Sequence, residues 1–356
     1  MISYHFGLPI FGPDLTISTF FVLSGFLITW LLLTEYNAAG TISLRNFYTR
    51  RVLRIFPAYY CCIIVSFLID HFRDHSWDPA LQWSSFLYVV NYYNATHEHP
   101  LTSIAHAWSM GIEEQFYLLW PLILLGLVRR GTARALSILA VIIGAVAGWR
   151  SFLYLDLHVS PHYVYNAFDT RFDNLAVGCF LALCAGQLWF RRFIQAMVRS
   201  ALLPLVTLGL LILSRSMAPP YHYSIGYSVD AVLIAVLLVQ LMLLHRHPLW
   251  AWLEHPVVRY IGIISYPLYL WHVLARRVGQ HLHMLPAAAQ IMVAVALSIA
   301  LASASYFLIE KPFLSLKKRF SPPTAPRQPR LMALQIPAAS PERAEEPQPQ
   351  SSVRGC

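Results

Sequence analysis

Long apolar stretches that recur along the whole chain constrain its fold more than any other feature. Examples lie at 202–213, 229–244 and 287–309. A helix needs roughly 20 predominantly apolar residues to cross the hydrocarbon core of a bilayer. Of the 356 residues, 57% are hydrophobic and only 12% are charged, whereas about 25% are charged in an average soluble domain. The chain is therefore predicted to be an all-α, polytopic transmembrane bundle.

The spacing of the apolar stretches predicts about ten membrane helices. The first is a stump at 1–8 that is too short to span a bilayer and reads as the last part of a truncated helix. The segment 81–93 is short and aromatic, so we expect it at the membrane interface or in a re-entrant loop. The other predicted helices cover approximately 15–34, 55–70, 115–129, 135–153, 171–188, 200–214, 226–244, 257–275 and 287–309.

With this helix order, the basic residues fall mainly on one side of the membrane. An excess of Arg and Lys in short loops marks the cytoplasmic side, so both termini are predicted to be cytoplasmic. The same asymmetry accounts for the net charge of +9 without nucleic-acid binding. The basic clusters lie within 45–54, 129–134, 191–199, 246–259 and 311–330.

The composition changes near residue 321, where Pro, Ala, Ser and charged residues become frequent. Such a segment cannot bury enough apolar surface to fold on its own. We therefore predict an integral membrane domain at 1–320 and a disordered cytoplasmic tail at 321–356.

The cysteines and histidines do not predict a metal site. The five cysteines include no CxxC pair, which is the usual spacing of zinc and redox sites. The HxH pairs at 97–99, 245–247 and 281–283 each lie in a loop without a third ligand nearby. GxSxG, GxGxxG, P-loop and HExxH motifs are also missing from the sequence, so the chemistry must come from other residues.

Polar residues near the outer ends of the predicted helices are costly in lipid and need a reason. His5 lies at the outer end of the first stump, where a plain interfacial histidine is the simpler interpretation. If a helix starts near Trp108, Glu113 and Glu114 enter the outer leaflet, with only one of them able to face a given partner. The helix dipole, which favours carboxylates near an N-terminus, is the simpler explanation of that pair.

Two further polar groups lie on the same predicted side. Asp169 and Asp173 are four residues apart on one helix face with Arg171 between them, an arrangement that a helix cap and a local ion pair would also explain. Tyr266 and His272 belong to a stripe at the outer end of a later helix, where an aromatic belt accounts for the tyrosine but not for the histidine. Convergence of these groups in one pocket would supply a base and its carboxylate helper.

An arginine-rich stretch lies on the predicted cytoplasmic side. Arg50, Arg51 and Arg54 precede an apolar helix, and Arg51 and Arg54 are three residues apart on one face. These residues contribute to the topology signal. They are also suited to clamp the phosphates of a phosphorylated cofactor.

With these motifs, the sequence resembles the membrane-bound acyltransferase 3 family. The resemblance runs from about residue 5 to 313 and appears in the family's order. It is carried by FFVLSGFLIT at 20–29, ISLRNFYTRRVLRIFPAYY at 42–60, HAWSMGIEEQFYLLWPL at 106–122, FDTRFDNLAVGC at 168–179, YIGIISYPLYLWH at 260–272 and YFLIEKPF at 306–313.

The resemblance implies a ten-helix enzyme of the bacterial inner membrane that transfers a short acyl group to a hydroxyl. The implied donor is acyl-CoA, most often acetyl-CoA, and the implied acceptor is a cell-surface or exported glycan or a lipid-linked saccharide. His5 and Glu113 match the family's catalytic histidine and WSxxxE carboxylate, while Arg50, Arg51 and Arg54 match its cofactor-binding RRxxR motif. Asp169, Arg171, Asp173, Tyr266 and His272 are expected to line or support the acceptor pocket, and no metal is expected.

One departure from the family pattern concerns the first helix. The family has an arginine roughly ten residues before the catalytic histidine, whereas this sequence starts four residues before His5. Either the start codon lies further upstream, or this form lacks the arginine and could be an inactive fragment.

The resulting hypothesis joins two sides of the membrane. Cytoplasmic acyl-CoA is held by the arginines, and His5, oriented by Glu113 or Asp169, deprotonates the acceptor from the outer side or first takes the acyl group itself. Acylation of a lipid or of a secreted small molecule such as a macrolide sugar is an alternative with the same chemistry. A glycan permease or flippase is the alternative from another class.

Overall fold

The computed structural model describes residues 12–74, 78–100, 102–282 and 284–320. These residues are almost entirely helical and contain no strand. Three predictions fall outside the described residues: the helix stump at 1–8, the catalytic role of His5 and the disordered tail at 321–356. Within the described residues the helices form the predicted all-α bundle. Each helix pairs its own backbone N–H and C=O groups, as a membrane segment must.

The helices are numbered here in chain order. They are α1 Pro13–Ala39, α2 Leu44–Ile69, α3 Pro79–Phe86, α4 Val90–Thr96, α5 Trp108–Arg129, α6 Thr132–Ser151, α7 Pro161–Asn166, α8 Phe168–Cys184, α9 Leu188–Met197, α10 Leu203–Ser216, α11 Tyr227–Leu244, α12 Pro256–Ile263, α13 Ser265–Gln280, α14 Ala287–Ser305 and α15 Lys311–Lys317. Short π-helical turns at Asp70–Asp74, Phe152–Asp156, His222–Gly226 and Tyr306–Glu310 extend or join some of them.

The described part of the chain contains six helical segments long and apolar enough to cross a membrane. Two bent helix pairs raise this number to eight if each pair counts as one span. One of these pairs is α12 and α13, which meet at a bend of 75°. The polytopic membrane fold is thereby confirmed. The segment predicted not to span, 81–93, forms the two short helices α3 and α4.

Some helices differ in length from their predictions. Helix α2 begins at Leu44, well before the apolar run that starts near residue 55. Ser43 caps it, because its side-chain oxygen accepts a hydrogen bond from the Asn46 backbone N–H at 3.4 Å. Helix α5 likewise begins at Trp108 rather than near 115. Both extensions carry charged residues of the motifs into the bundle.

Helices α1 and α8 run in parallel and pack closely along their length. A Cβ atom on Gly25 would lie 2.0 Å from the Leu175 carbonyl oxygen, and one on Gly178 would lie 2.1 Å from the Val22 carbonyl oxygen. Both positions therefore require glycine, because only a missing side chain allows the two backbones to approach so closely. This α1–α8 contact, centred on Gly25 and Gly178, is called the glycine seam below.

Ion pairs and hydrogen bonds between helices show which way each helix runs through the bundle. Arg50 at the start of α2 pairs with Glu35 at the end of α1, with 2.9 Å between Nη2 and Oε2. The same guanidinium donates to the Phe320 carbonyl oxygen at 2.7 Å. We call this end of the bundle the basic end and the opposite end the far end. Helices α1, α5 and α8 run from the far end to the basic end, and α2 and α13 run the other way.

Candidate active site

A cavity of about 420 Å³ lies between α1, α2, α5 and the bend that joins α12 to α13. Its size falls in the range of small-molecule binding sites, about 300–1,000 Å³. Apolar side chains of α1 form one wall, and charged and hydroxyl groups of α2, α5 and α13 form the others. The lining residues that bear chemistry are Ser24, Arg51, Arg54, Ser109, Glu113, Tyr117, Ser265, Tyr266 and Tyr269.

Arg51 and Arg54 line the cavity from successive positions on one face of α2. The Arg51 guanidinium lies over the aromatic rings of Phe47 and Tyr117, 5.6 Å and 5.2 Å from their centroids. Within the described residues, neither arginine forms an ion pair with a carboxylate. Two cations in a cavity without carboxylate partners are suited to bind an anionic ligand such as a phosphate.

Glu113 lies in the same cavity and is held by two hydroxyl groups. Ser24 of α1 donates to Glu113 Oε1 at 3.0 Å, and the Tyr117 hydroxyl lies 3.2 Å from Oε2. The Tyr117 hydroxyl is also 3.0 Å from Ser24 Oγ. Glu114 does not line the cavity, since adjacent side chains on a helix point about 100° apart. The expectation that only one of the two carboxylates faces the site is met.

Tyr117 connects the carboxylate to the arginines. Its ring lies beneath the Arg51 guanidinium and its hydroxyl lies beside Glu113. The sequence predicted the arginines and Glu113 on opposite faces of the bilayer, but the structure places them in one cavity. The reason is the early start of α2, which carries Arg51 and Arg54 about 10–15 Å into the bundle at 1.5 Å per residue.

Tyr266, predicted to line or support the acceptor pocket, lines this cavity, and its hydroxyl donates to the Ile55 carbonyl oxygen of α2 at 2.8 Å. His272, from the same predicted stripe, does not line it. Its Nδ1 lies 2.7 Å from the Tyr269 carbonyl oxygen, and its ring lies 5.2 Å from the ring of His106. The two imidazoles therefore form a buried pair behind Tyr269.

Arg50, which the family motif assigns to the cofactor, lies outside the cavity lining. Its guanidinium is engaged by Glu35 and by the Phe320 carbonyl oxygen. Its contacts therefore join the ends of α1 and α2 to the last described residues, while Arg51 and Arg54 face the cavity.

The Asp169, Arg171 and Asp173 group also lies outside the cavity lining. Asp169 accepts a hydrogen bond from Trp149 Nε1 at 2.9 Å. Arg171 is fully buried, donates to Ser18 Oγ at 3.0 Å, and stacks 3.8 Å from the centroid of the Tyr227 ring.

Asp173 pairs with Arg150 of α6 at 3.0 Å, and both side chains are fully buried. The local ion pair expected between Arg171 and its neighbouring aspartates is therefore not formed. The reason is geometric, since Arg171 and Asp173 are two residues apart and point to different sides of α8. Arg171 faces α1 and α11, and Asp173 faces α6.

Two residues of the site, Ser24 and Tyr117, were not identified from the sequence. Tyr117 could have been found, because it lies four residues after Glu113 and shares its helix face. Ser24 gave no such signal, since its role depends on α1 packing against α5. Arg150, the partner of Asp173, was also missed, because the pair depends on how α6 packs against α8.

The chain matches the profile of the acyltransferase 3 domain family over residues 14–308, which include Arg51, Arg54 and Glu113. The chain belongs to the acyltransferase 3 family. This confirms the predicted resemblance and places the cavity within the family's acyltransferase domain.

Curated relatives share the same region. The chain is 30% identical over 295 residues to the peptidoglycan O-acetyltransferase OatA of Listeria monocytogenes, which covers 76% of this chain and 46% of that protein. It is 30% identical over 301 residues to the O-acetyltransferase OatA of Staphylococcus aureus, covering 76% and 47% of the two chains. A putative O-acetyltransferase of Staphylococcus aureus is 29% identical over 341 residues, covering 88% and 55%. The chain thus spans about half the length of these relatives. No solved structure matches it.

Proposed function

We propose that this protein is a membrane O-acyltransferase that moves an acetyl or other short acyl group from cytoplasmic acyl-CoA to a hydroxyl of a cell-surface or exported glycan. One observation carries the proposal: two arginines, which form no ion pair among the described residues, share one cavity inside a membrane bundle with a hydroxyl-bound carboxylate. The names of the OatA relatives support an O-acetyl group and a glycan acceptor.

The donor is assigned to the basic end of the cavity. Arg51 and Arg54 would hold the phosphates of coenzyme A by charge-assisted hydrogen bonds, which are stronger than those between neutral groups. The pantetheine arm would then extend along the apolar wall of α1 toward Glu113. By the positive-inside rule the basic end faces the cytoplasm of a bacterial inner-membrane protein, where acyl-CoA is made.

The transfer step is assigned to His5 with Glu113. His5 takes the proton of the acceptor hydroxyl, the oxygen attacks the thioester carbon, the C–S bond breaks, and the proton passes to the departing thiolate. In the two-step alternative the acyl group rests first on His5 before it reaches the acceptor. Glu113 is favoured over Asp169 as the helper, because Asp169 is bound to Trp149 outside the cavity.

The decisive experiment uses the full chain in proteoliposomes with acetyl-CoA labelled in the acetyl group and an extracted envelope glycan as acceptor. The wild type should transfer label to the glycan, whereas His5→Ala and Glu113→Gln should lose it by at least about 100-fold, the usual contribution of a general acid or base. Glu254→Gln, an exposed carboxylate outside the cavity, should keep the wild-type rate.

The same assay separates this proposal from a permease or flippase. A permease would move the glycan without consuming acetyl-CoA, so intact acetyl-CoA after incubation with a folded protein would refute the enzyme. Consumption of acetyl-CoA with label only in extracted lipid or in a small secreted molecule would instead move the acceptor to the alternative class.

A further inference from the structure

The cavity continues past Glu113 toward the far end of the bundle, and this section differs from the rest. We call it the far pocket, and its walls come from α1, α5 and α13. It is lined by Ile17, Phe20, Leu23, Ser109, Met110 and Tyr269. No charged side chain is among them.

Contact between α1 and α13 narrows the far pocket. The rings of Phe20 and Tyr269 lie 6.2 Å apart at an interplanar angle of 55°. Ile17 is 1% exposed and Met110 is 5% exposed. The section is therefore bounded by well-packed side chains, which resist changes in the volume that they enclose.

Its two hydroxyl groups are already satisfied by the protein. Ser109 Oγ and the Tyr269 hydroxyl are 2.6 Å apart, and the Tyr269 hydroxyl donates to the His106 carbonyl oxygen. A group that enters this section therefore meets an apolar surface, and a polar group would be desolvated without gaining a partner.

The helix register gives the depth of the section. Met110 precedes Glu113 by one turn of α5, a rise of about 4.5 Å, and Phe20 precedes Ser24 by one turn of α1, a rise of about 6 Å. The space beyond the carboxylate is therefore only a few carbon–carbon bonds long, at about 1.5 Å each.

We infer that the far pocket measures the acyl chain of the donor, with Phe20 and Met110 as the residues that set its length. This inference rests on the proposed function, which places the thioester beside Glu113. A donor held by Arg51 and Arg54 directs its acyl group past Glu113 into the far pocket. Acetyl and propionyl groups fit there, and a hexanoyl group collides with Phe20.

The test compares acetyl-, propionyl-, butyryl- and hexanoyl-CoA as donors for the full chain in proteoliposomes, with one glycan acceptor. The wild type should show a kcat/KM that falls steeply beyond propionyl. Phe20→Ala should raise the ratio of hexanoyl to acetyl transfer by at least about tenfold, because one misfitting methylene changes discrimination by roughly 10- to 200-fold. Phe20→Trp should lower the ratio of propionyl to acetyl transfer by a similar factor.

Met110→Ala serves as a second enlarging variant, so that the test does not depend on Phe20 alone. Leu122→Ala is the matched control, since Leu122 lies on α5 but is 54% exposed and does not line the cavity. Its ratio of hexanoyl to acetyl transfer should equal that of the wild type, and the unfolding temperature of each variant reports whether it is folded.

The outcomes separate this inference from the function on which it rests. A wild type that transfers acetyl to no acceptor overturns both. A wild type that transfers acetyl but uses hexanoyl-CoA equally well overturns only the far pocket as a measure of chain length. Unchanged ratios in folded Phe20→Ala and Met110→Ala variants overturn it as well.

Discussion

On one face of α1, Gly25 lets the backbone touch α8, whereas on the opposite face Leu23 and Leu27 line a cavity. The glycine seam leaves no room for a methyl group, while the cavity face leaves about 420 Å³ open. Residues 23 and 27 each lie two positions from Gly25, which turns them about 200° away from it. One helix thus combines a tightly packed face with a face that lines a cavity.

This difference separates the residues that should affect stability from those that should affect turnover. A wall that must keep its position beside a bound donor gains from a rigid partner on its other side. Substitutions in or near the glycine seam should therefore lower the unfolding temperature with little change in KM. Substitutions in the cavity should instead change the kinetic constants and leave the unfolding temperature nearly unchanged.

The largest loss of stability is expected from Asp173→Asn, on the same helix as Gly178 of the glycine seam. The change leaves the fully buried Arg150 without its carboxylate, and removing one partner of a buried ion pair costs about 3–5 kcal/mol. Thermal unfolding in detergent measures the loss. Asp169→Asn is the control on the same helix, and an equal loss there would show that the Arg150 pair is not the cause.

A smaller loss is expected from Gly178→Ala. Its new Cβ would lie 2.1 Å from the Val22 carbonyl oxygen, so α1 and α8 must separate, at a cost of about 1–3 kcal/mol. Gly148→Ala adds the same methyl group to α6 where nothing lies within 4 Å, and it should keep or raise the unfolding temperature. Equal unfolding temperatures of the two variants would show that the glycine seam is no more tightly packed than other helix surfaces.

On the cavity side, Arg54→Gln should raise the KM for acetyl-CoA about tenfold, or ~1.4 kcal/mol, because a charge-assisted bond to phosphate is lost. The unfolding temperature should stay near the wild-type value, since Arg54 is exposed. Arg50→Gln is the matched comparison and should show the opposite pattern, because Arg50 is bound to Glu35. A raised KM in Arg50→Gln with a normal unfolding temperature would indicate that Arg50 binds the donor.

The smallest effect is expected from Trp120→Phe. The indole Nε1 of Trp120 donates to Thr29 Oγ1 at 2.8 Å, and both side chains are fully buried. Loss of this bond between α5 and α1 should lower the free energy of unfolding by about 1 kcal/mol. Transfer kinetics measured beside thermal unfolding would show whether this bond also positions Glu113, in which case kcat would fall as well.

The helices could be predicted from the sequence because apolar length and period determine them locally. Glu113 could be separated from Glu114 for the same reason, since helix geometry alone turns them apart. Arg51 and Arg54 were found from spacing and charge, which are likewise properties of one helix.

The partners of these residues could not be predicted. Whether Asp173 binds Arg171 or Arg150 depends on how α6 packs against α8, a contact between segments distant in the sequence. The break at Ile264 was missed because both sides of it are apolar, so the composition of 257–275 is typical of one continuous span.

That break has a consequence for how the protein responds to its lipid environment. Helices that span the full bilayer tilt when its thickness changes. The wall that carries Tyr266 and Tyr269 belongs to α13 alone, and its position is fixed to α2 through Tyr266 and Cys62, whose partners are the Ile55 and Leu270 carbonyl oxygens. The tyrosine wall should therefore keep its position against α2 in thin and in thick vesicles, because these two hydrogen bonds, and not a continuous α12–α13 span, hold it there.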